Sequence, residues 1–167
     1  MPNSYDTLSV LIADGSSSIL SMTRFILGEF GISKITTVTH SHHVLDELSV
    51  QSIDLLIVDW NMEPMSGIEL TKYIRLSEES PNRYLPIIIM SDKTSLPIVY
   101  EARDAGVSEF LVKPLTMQSI KQRVDATIKN PKKFVRSPTY FGPDRRRRID
   151  PKYKGPERRV EMEDAFI

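Results

Sequence analysis

Four residues of the types that carry out phosphoryl chemistry stand far apart in this chain: Asp14, Asp59, Ser91 and Lys113. Each closely follows a short β-rich run, namely Leu8 to Ala13, Leu55 to Val58, Ile87 to Met90 and Glu109 to Val112. A carboxylate nucleophile, a second carboxylate to help hold a divalent cation, a hydroxyl and an ammonium group are the parts needed to accept a phosphoryl group on Asp59. The cation neutralises the phosphoryl oxygens, and Lys113 and Ser91 bind the product. Taken singly, each residue has a plainer reading. An acid at a strand end is often a helix cap, and Lys113-Pro114 reads equally as the start of a loop. Capping becomes the poorer explanation for Asp14 once Asp59 and Lys113 stand at equivalent places.

The elements that must position these groups form a repeating strand-helix rhythm. A fifth β-rich run at Ile35 to Val38 completes five strands. Helical spacing follows each, at Ser17 to Phe30, Ser41 to Leu48, Gly67 to Leu76, Leu96 to Ala105 and from Met117 onward. In the last of these Met117, Ile120, Val124 and Ile128 share one face, and Pro131 ends it. Gly31 and Gly106 supply stops for two of the others. Leu55-Leu56-Ile57-Val58 and Ile87-Ile88-Ile89-Met90 are apolar without alternation, as central strands covered on both faces must be. The pattern predicts an α/β fold, a doubly wound five-stranded parallel sheet, with residues that do chemistry at the carboxyl ends of the strands.

Composition narrows the function. At 167 residues, 40% apolar and 26% charged, the chain falls in the range of one soluble domain with an extension. It has no cysteine, hence neither a disulfide framework nor thiolate chemistry. No apolar run approaches the ~20 residues needed to span a bilayer. The first residues, Met1-Pro2-Asn3-Ser4-Tyr5-Asp6, lack the features of a secretory signal, so the expectation is a cytoplasmic protein without membrane insertion. Lys and Arg total 22 against 22 Asp and Glu, but that balance is a cancellation. Residues 1–130 are net acidic, whereas residues 131–167 carry most of the arginines and read as a basic C-terminal extension.

The four strand-end motifs resemble the receiver domain of two-component response regulators, CheY-like single-domain receivers in particular. The anchors are Leu11-Ile12-Ala13-Asp14, then Asp59-Trp60-Asn61-Met62 with Gly67 opening the next helix, then Ile89-Met90-Ser91, then Phe110-Leu111-Val112-Lys113-Pro114. The match spans residues 7 to 130, and the resemblance implies the strand order 2-1-3-4-5 for the sheet. The resemblance implies that Asp59 is the phosphoacceptor, that Asp14, Asp59 and the main-chain carbonyl of Asn61 hold Mg²⁺, that Ser91 is the switch hydroxyl, Phe110 the switch aromatic and Lys113 the site lysine. It also implies a histidine kinase or phosphotransfer protein as phosphodonor and a downstream protein target, the flagellar motor among the candidates. Two positions depart from the family pattern. Gly15 stands where a second acid after the first strand normally touches Mg²⁺, which predicts weaker metal binding through two carboxylates. Glu63 precedes Pro64 in the loop after Asp59, either as one more acid near the site or as an exposed loop residue.

The extension contains a repeat. Pro138-Thr139-Tyr140-Phe141-Gly142-Pro143-Asp144-Arg145-Arg146 recurs thirteen residues later as Pro151-Lys152-Tyr153-Lys154-Gly155-Pro156-Glu157-Arg158-Arg159, with six identities and the acidic position kept. Gly-Pro sets a turn, the Arg pair presents forked donors, and Tyr offers a stacking face. Proline-rich and poor in aliphatics, the extension cannot build its own core and is expected to be disordered or draped over the receiver until a ligand orders it. Tyr140, Arg145, Arg146, Arg147, Arg148, Tyr153, Arg158 and Arg159 make a candidate nucleotide site, for which cyclic di-GMP, with two phosphates and two guanines, is a match. In composition and place the extension resembles the arginine-rich stretches of CheY-like proteins that bind this nucleotide. Nucleic acid would use the same cations with less geometric demand, a solvated linker resting on the acidic body needs no ligand, and the repeat could instead have a structural role, docking in two copies on the receiver's surface. His40, His42 and His43 cluster near the start of the second helix, but neighbouring helical side chains point apart, against a metal site.

Two readings of function follow. In one, a stand-alone receiver accepts a phosphoryl group on Asp59 and signals by protein contact, with chemotaxis or flagellar motility as the setting. In the other, the receiver is a scaffold and the arginine repeat senses a nucleotide independently of phosphorylation. No helix-turn-helix pattern follows Asn130, so DNA-binding output is not expected, nor is enzymatic activity beyond self-phosphorylation.

Overall fold

The computed structural model describes residues 5–146, 151–152, 154–156 and 158–162. Five parallel strands, β1 (Ser9–Ala13), β2 (Lys34–Val38), β3 (Leu55–Asp59), β4 (Ile87–Ser91) and β5 (Glu109–Val112), form one sheet in the order β2-β1-β3-β4-β5. They alternate with α1 (Ser17–Glu29), α2 (Ser41–Val50), α3 (Gly67–Leu76), α4 (Leu96–Ala105) and α5 (Met117–Lys129). This is the doubly wound sheet predicted from the apolar runs, with boundaries shifted by at most two residues.

The central strands alternate between two cores. Val10, Ile12, Leu55, Ile57, Ile88 and Met90 face α1 and α5, where they meet Leu20, Leu27, Ile120 and Val124. Leu11, Ala13, Leu56, Val58, Ile87 and Ile89 face α2, α3 and α4, against Val44, Leu48, Ile68, Leu70, Ile74 and Ala102. With both faces buried, an unbroken apolar run is the only pattern these strands could carry. Local signals fix where helices begin. The Ser66 hydroxyl accepts from the Glu69 amide (3.2 Å) and the Glu69 carboxylate accepts from the Ser66 amide (2.8 Å), a reciprocal cap that sets α3 in register behind β3. Among the described residues no helix is long and apolar enough to cross a membrane.

Of the two states expected for the extension, disordered or draped over the receiver, its described part takes the second. It forms a second, antiparallel sheet, β6 (Phe134–Ser137), β7 (Tyr140–Pro143) and β8 (Val160–Met162), in the order β7-β6-β8. Its apolar face is small, but the receiver supplies the other half of the core. Phe134 and Phe141 are buried and pack with Tyr84, ring centroids lying 5.1, 5.3 and 5.8 Å apart. The Arg83 guanidinium lies 4.5 Å from the centre of the Phe141 ring. Beneath them Arg75 is fully buried, donating through Nε to Gly106 O (2.9 Å) and through Nη1 to Arg83 O (2.9 Å), with the Phe134 ring 5.0 Å away. Its other terminal nitrogen is buried without a hydrogen-bond partner. Burial lowers its pKa to about 9, with Tyr140 acting weakly in the other direction. Two hydrogen bonds from a charged donor and an aromatic face offset that cost, each contributing roughly 1–3 kcal/mol.

Gly106, the left-handed cap that ends α4 (φ 102°), joins these layers. A Cβ there would lie 3.1 Å from Arg75 Cγ and 3.2 Å from Phe141 O, so the backbone of the extension sits directly on the helix end. The docking surface is thus the far end of α3, the α3-β4 loop and the far end of α4. Pro143 and Phe134 also wall a cavity of about 550 Å³ together with Leu8, Ile53, Pro86 and Ser108, residues that flank the amino ends of the strands. The extension therefore lies at the sheet end opposite Asp59.

Phe141→Ala should lower stability by ~3 kcal/mol through loss of a buried ring, read as a fall in the urea midpoint of the full chain. Gly106→Ala should cost more than ~1 kcal/mol, because it combines a left-handed φ with a blocked Cβ.

Candidate functional site

A parallel sheet puts all its carboxyl ends on one edge, and that topology gathers the four residues from their distant positions. Asp59 and Ser91 are the last residues of β3 and β4; Asp14 and Lys113 follow β1 and β5 directly. The Lys113 ammonium lies 2.8 Å from Asp14 Oδ2 and 2.9 Å from Asp59 Oδ1. Asp14, Asp59 and Ser91 are all buried. The second oxygen of Asp14 accepts from the Ser16 amide at 2.8 Å, which fixes the carboxylate against the start of α1. Ser91 Oγ accepts from the Lys93 amide (3.0 Å), and its carbonyl accepts from the Lys113 amide (2.8 Å), tying β4 to the lysine's own backbone. Gly67 closes the back of the site: a Cβ there would lie 2.4 Å from the Asp59 carbonyl oxygen, so α3 can start this close only with glycine.

The charges oppose one another. Burial pushes the Asp59 carboxyl above its ordinary value; the Lys113 hydrogen bond pulls it down, the Asp14 charge pushes it up again, and the Asn61 amide stabilises the ionised form. Burial alone would lower Lys113, but its bonds to Asp14 and Asp59 outweigh this and hold it above the ordinary lysine value. One ammonium thus serves two carboxylates and leaves the cluster one negative charge in excess, the condition for attracting a cation.

Among the described residues no group of three His, Cys, Asp or Glu side chains converges as a metal site. Asp14 and Asp59 are the two carboxylates available, and Mg²⁺ is commonly held by one or two protein carboxylates with water completing its shell. The residues fit a weakly held Mg²⁺. Gly15 has open space where a Cβ would project, so the third carboxylate is absent for want of a side chain rather than of room. Glu63 is exposed, and its main-chain carbonyl accepts from the Ser41 amide (2.9 Å). The His40, His42 and His43 rings lie 4.0 to 5.8 Å apart, centre to centre, on the exposed start of α2.

Phe110 and Trp60 are half-buried against the core on the α2-α3-α4 side. Phe110 lies on β5, paired with Ile89 of β4, two residues before the position opposite Ser91.

Several of the extension residues expected at a nucleotide site have partners within the chain. Tyr140 is buried, its hydroxyl donates to Pro143 O (2.7 Å), and the Arg145 guanidinium stacks on its ring at 4.1 Å. Arg145 reaches Asp104 at 2.8 Å, while Arg146 and Arg159 pair with Asp144 at 2.7 and 3.5 Å. Arg158 is exposed. Arg147, Arg148 and Tyr153 lie outside the described residues. Burial raises the Tyr140 hydroxyl to about 12 despite the nearby Arg145 and Arg75 charges.

Sequence reasoning passed over Ser16, Arg75, Arg83 and Tyr84. Ser16 carried a signal, a helix-capping type two residues after Asp14. The other three carried none, because what defines them is a contact with residues 134–145.

The chain matches the response regulator receiver domain family over residues 10–125. It is 30% identical to a chemotaxis protein CheY-3 of Vibrio cholerae over 118 residues, covering 71% of this chain and 89% of the relative. With the chemotaxis protein CheY of Pseudomonas aeruginosa the identity is 28%, covering 71% of this chain and 94% of that protein. Among solved structures, the chemotaxis response regulator CheY4 of Vibrio cholerae superposes with a TM-score of 0.65 at 28% identity, covering 71% of this chain and 98% of that one. The receiver domain of a sensor histidine kinase from Pseudomonas aeruginosa, solved with magnesium in its active site cleft, shares the fold with a TM-score of 0.65 at 19% identity, covering 74% of this chain and 98% of that one. Sheet order, strand-end residues and these likenesses agree: this chain belongs to the response regulator receiver domain family.

Proposed function

We propose that this protein is a single-domain response regulator that accepts a phosphoryl group on Asp59 and passes the signal on by protein contact. The observation that carries the reading is the Lys113 ammonium bridging Asp14 and Asp59 beside Ser91 in one buried cluster. A carboxylate oxygen of Asp59 attacks the phosphorus of a phosphohistidine on a kinase or phosphotransfer protein. The N–P bond breaks, the electron pair leaves with the imidazole nitrogen, and an acyl phosphate forms on Asp59. Lys113 keeps its charge and offsets the charge brought by the phosphoryl oxygens, and the Ser91 hydroxyl turns to donate to one of them. Mg²⁺ held by Asp14 and Asp59, with the Asn61 carbonyl completing the set, would supply further neutralisation. Movement of Ser91 shifts the neighbouring strand at Phe110 and the loop into α4, which changes the outer face. The CheY relatives support motility control as the setting. In this reading the extension is a docked structural element, since Tyr140 and Arg145 are committed to the receiver and to each other.

Incubation with acetyl phosphate and Mg²⁺ should add one phosphoryl group to the full chain, detected by intact mass, and Asp59→Ala should remove it; an unchanged yield in that variant overturns the reading. Gly15→Asp should tighten the Mg²⁺ dependence of phosphorylation about tenfold by adding a carboxylate, measured as the half-saturating metal concentration. The raised Asp59 pKa also sets a sign. The folded state holds this proton more tightly than the unfolded chain, so ionising Asp59 costs stability at neutral pH and nothing once pH is below the ordinary value of 3.8. Asp59→Asn should therefore stabilise the fold by ~1 kcal/mol at pH 7, with the gain shrinking as pH falls toward the carboxylate range. Thermal unfolding across that range tests the trend.

A further inference from the structure

The first copy of the nine-residue repeat shows which of its residues do what. Tyr140 closes the unit on itself by donating to Pro143 O at 2.7 Å. At Gly142 a Cβ would meet Tyr140 Oη at 2.6 Å and the Cα of Gly106 at 3.1 Å, so both the unit and the receiver exclude a side chain there. Pro143 is buried. Asp144 accepts from the Arg146 amide (3.0 Å), and Arg145 bridges the Tyr140 ring to Asp104 on α4. These contacts are made by Tyr, Gly, Pro, an acid and two Arg, the same positions that the second copy keeps as Tyr153, Gly155, Pro156, Glu157, Arg158 and Arg159. Of the two interior positions that differ, Thr139 is exposed, and Phe141, which packs on Arg83 and Tyr84, becomes Lys154. In the second copy Lys154, Gly155, Pro156 and Arg158 are exposed.

We propose that the groove between the far ends of α3 and α4 is a recognition site for this nine-residue unit, and that residues 151–159 are its second ligand, exchanging with residues 138–146 within one chain. The shared residues are those that fold the unit and grip Asp104 and Gly106, so the second copy holds the same grip. Lys154 decides the balance: it would bring an ammonium onto the Arg83 guanidinium where the first copy lays an aromatic ring. This makes the first copy the dominant occupant. Exchange lengthens the tether by thirteen residues, and closure entropy grows only logarithmically with length. Its outcome is to replace Arg145 by Arg158 at Asp104 and to lift Arg145 off the receiver, a two-position element within one fold.

The chain has no cysteine, so introduced pairs report cleanly. In the full chain, Asp104→Cys is combined with Arg145→Cys, with Arg158→Cys, or with Lys121→Cys as a measure of random collision, and disulfide closure by oxidised glutathione is timed. The wild-type repeat should close 104 to 145 at least ~tenfold faster than 104 to 158, as the ratio of local concentrations requires. Exchanging the two deciding residues, Phe141→Lys with Lys154→Phe, should reverse that order. Lys154→Phe alone, which keeps the first copy intact, should raise the 104 to 158 rate several-fold and covers the case in which the double exchange fails to fold. A 104 to 158 rate that stays at the collision level in folded Lys154→Phe protein overturns the proposal. Disulfide-linked dimers in place of closed monomers overturn it as well, because they place the second copy on a neighbouring molecule.

Discussion

Two buried carboxylates share one ammonium at the carboxyl edge of the sheet, and the rest of the molecule is arranged around that unequal sharing. Asp14 and Asp59 repel each other in a place where water screens little, and Lys113 touches both at under 3 Å. Holding three such groups together requires rigid supports. The cap of α1, the backbone bond between Ser91 and Lys113, and the approach of α3 over Gly67 each fix one member. The excess negative charge then suits the site to a cation. The absence of a side chain at Gly15 leaves open space beside this cluster without disturbing the contacts that hold it.

At the other end of the sheet the problem is inverted. Arg75 is a cation buried without a carboxylate in hydrogen-bond contact, its guanidinium spent on two main-chain carbonyls and an aromatic face. Those partners come from three segments: the end of α4, the α3-β4 loop and the extension. The extension is consequently part of the receiver's packing rather than an appendage, since without Phe134 and Phe141 this cation would lie open at the protein's flank. Arg145 and Asp104 add a surface ion pair of the kind that contributes little alone, but here it continues the stack on Tyr140.

The sheet and the acidic site were legible in the sequence because both rest on signals that repeat or recur at fixed places. Apolar runs marked β3 and β4, and the residues that follow each strand necessarily share an edge. The docking of the extension was not legible. Tyr140 read as a stacking face because a tyrosine among arginines is usually exposed, and only the three-dimensional contact with Arg145 and the end of α4 shows it covered. Arg75, on an otherwise ordinary amphipathic helix, gave no sign of burial. The partners that bury Phe134 lie some fifty residues earlier, and no periodicity links them. Ser16 is an intermediate case, visible as a cap but not as the group that orients Asp14.

Helix α4 begins five residues after Ser91 and is capped by Gly106, against which the extension rests. At 1.5 Å per residue its ten residues make a rod of about 15 Å, with Ser91 near one end and the docked sheet at the other. Such a rod carries a load. Any rocking of α4 that begins at the acidic cluster must either drag β7 with it or slip beneath it, so the stiffness of that distal contact enters the work of moving the helix. A fragment trimmed to the receiver alone would turn on an unloaded hinge, and its rates would belong to a different machine.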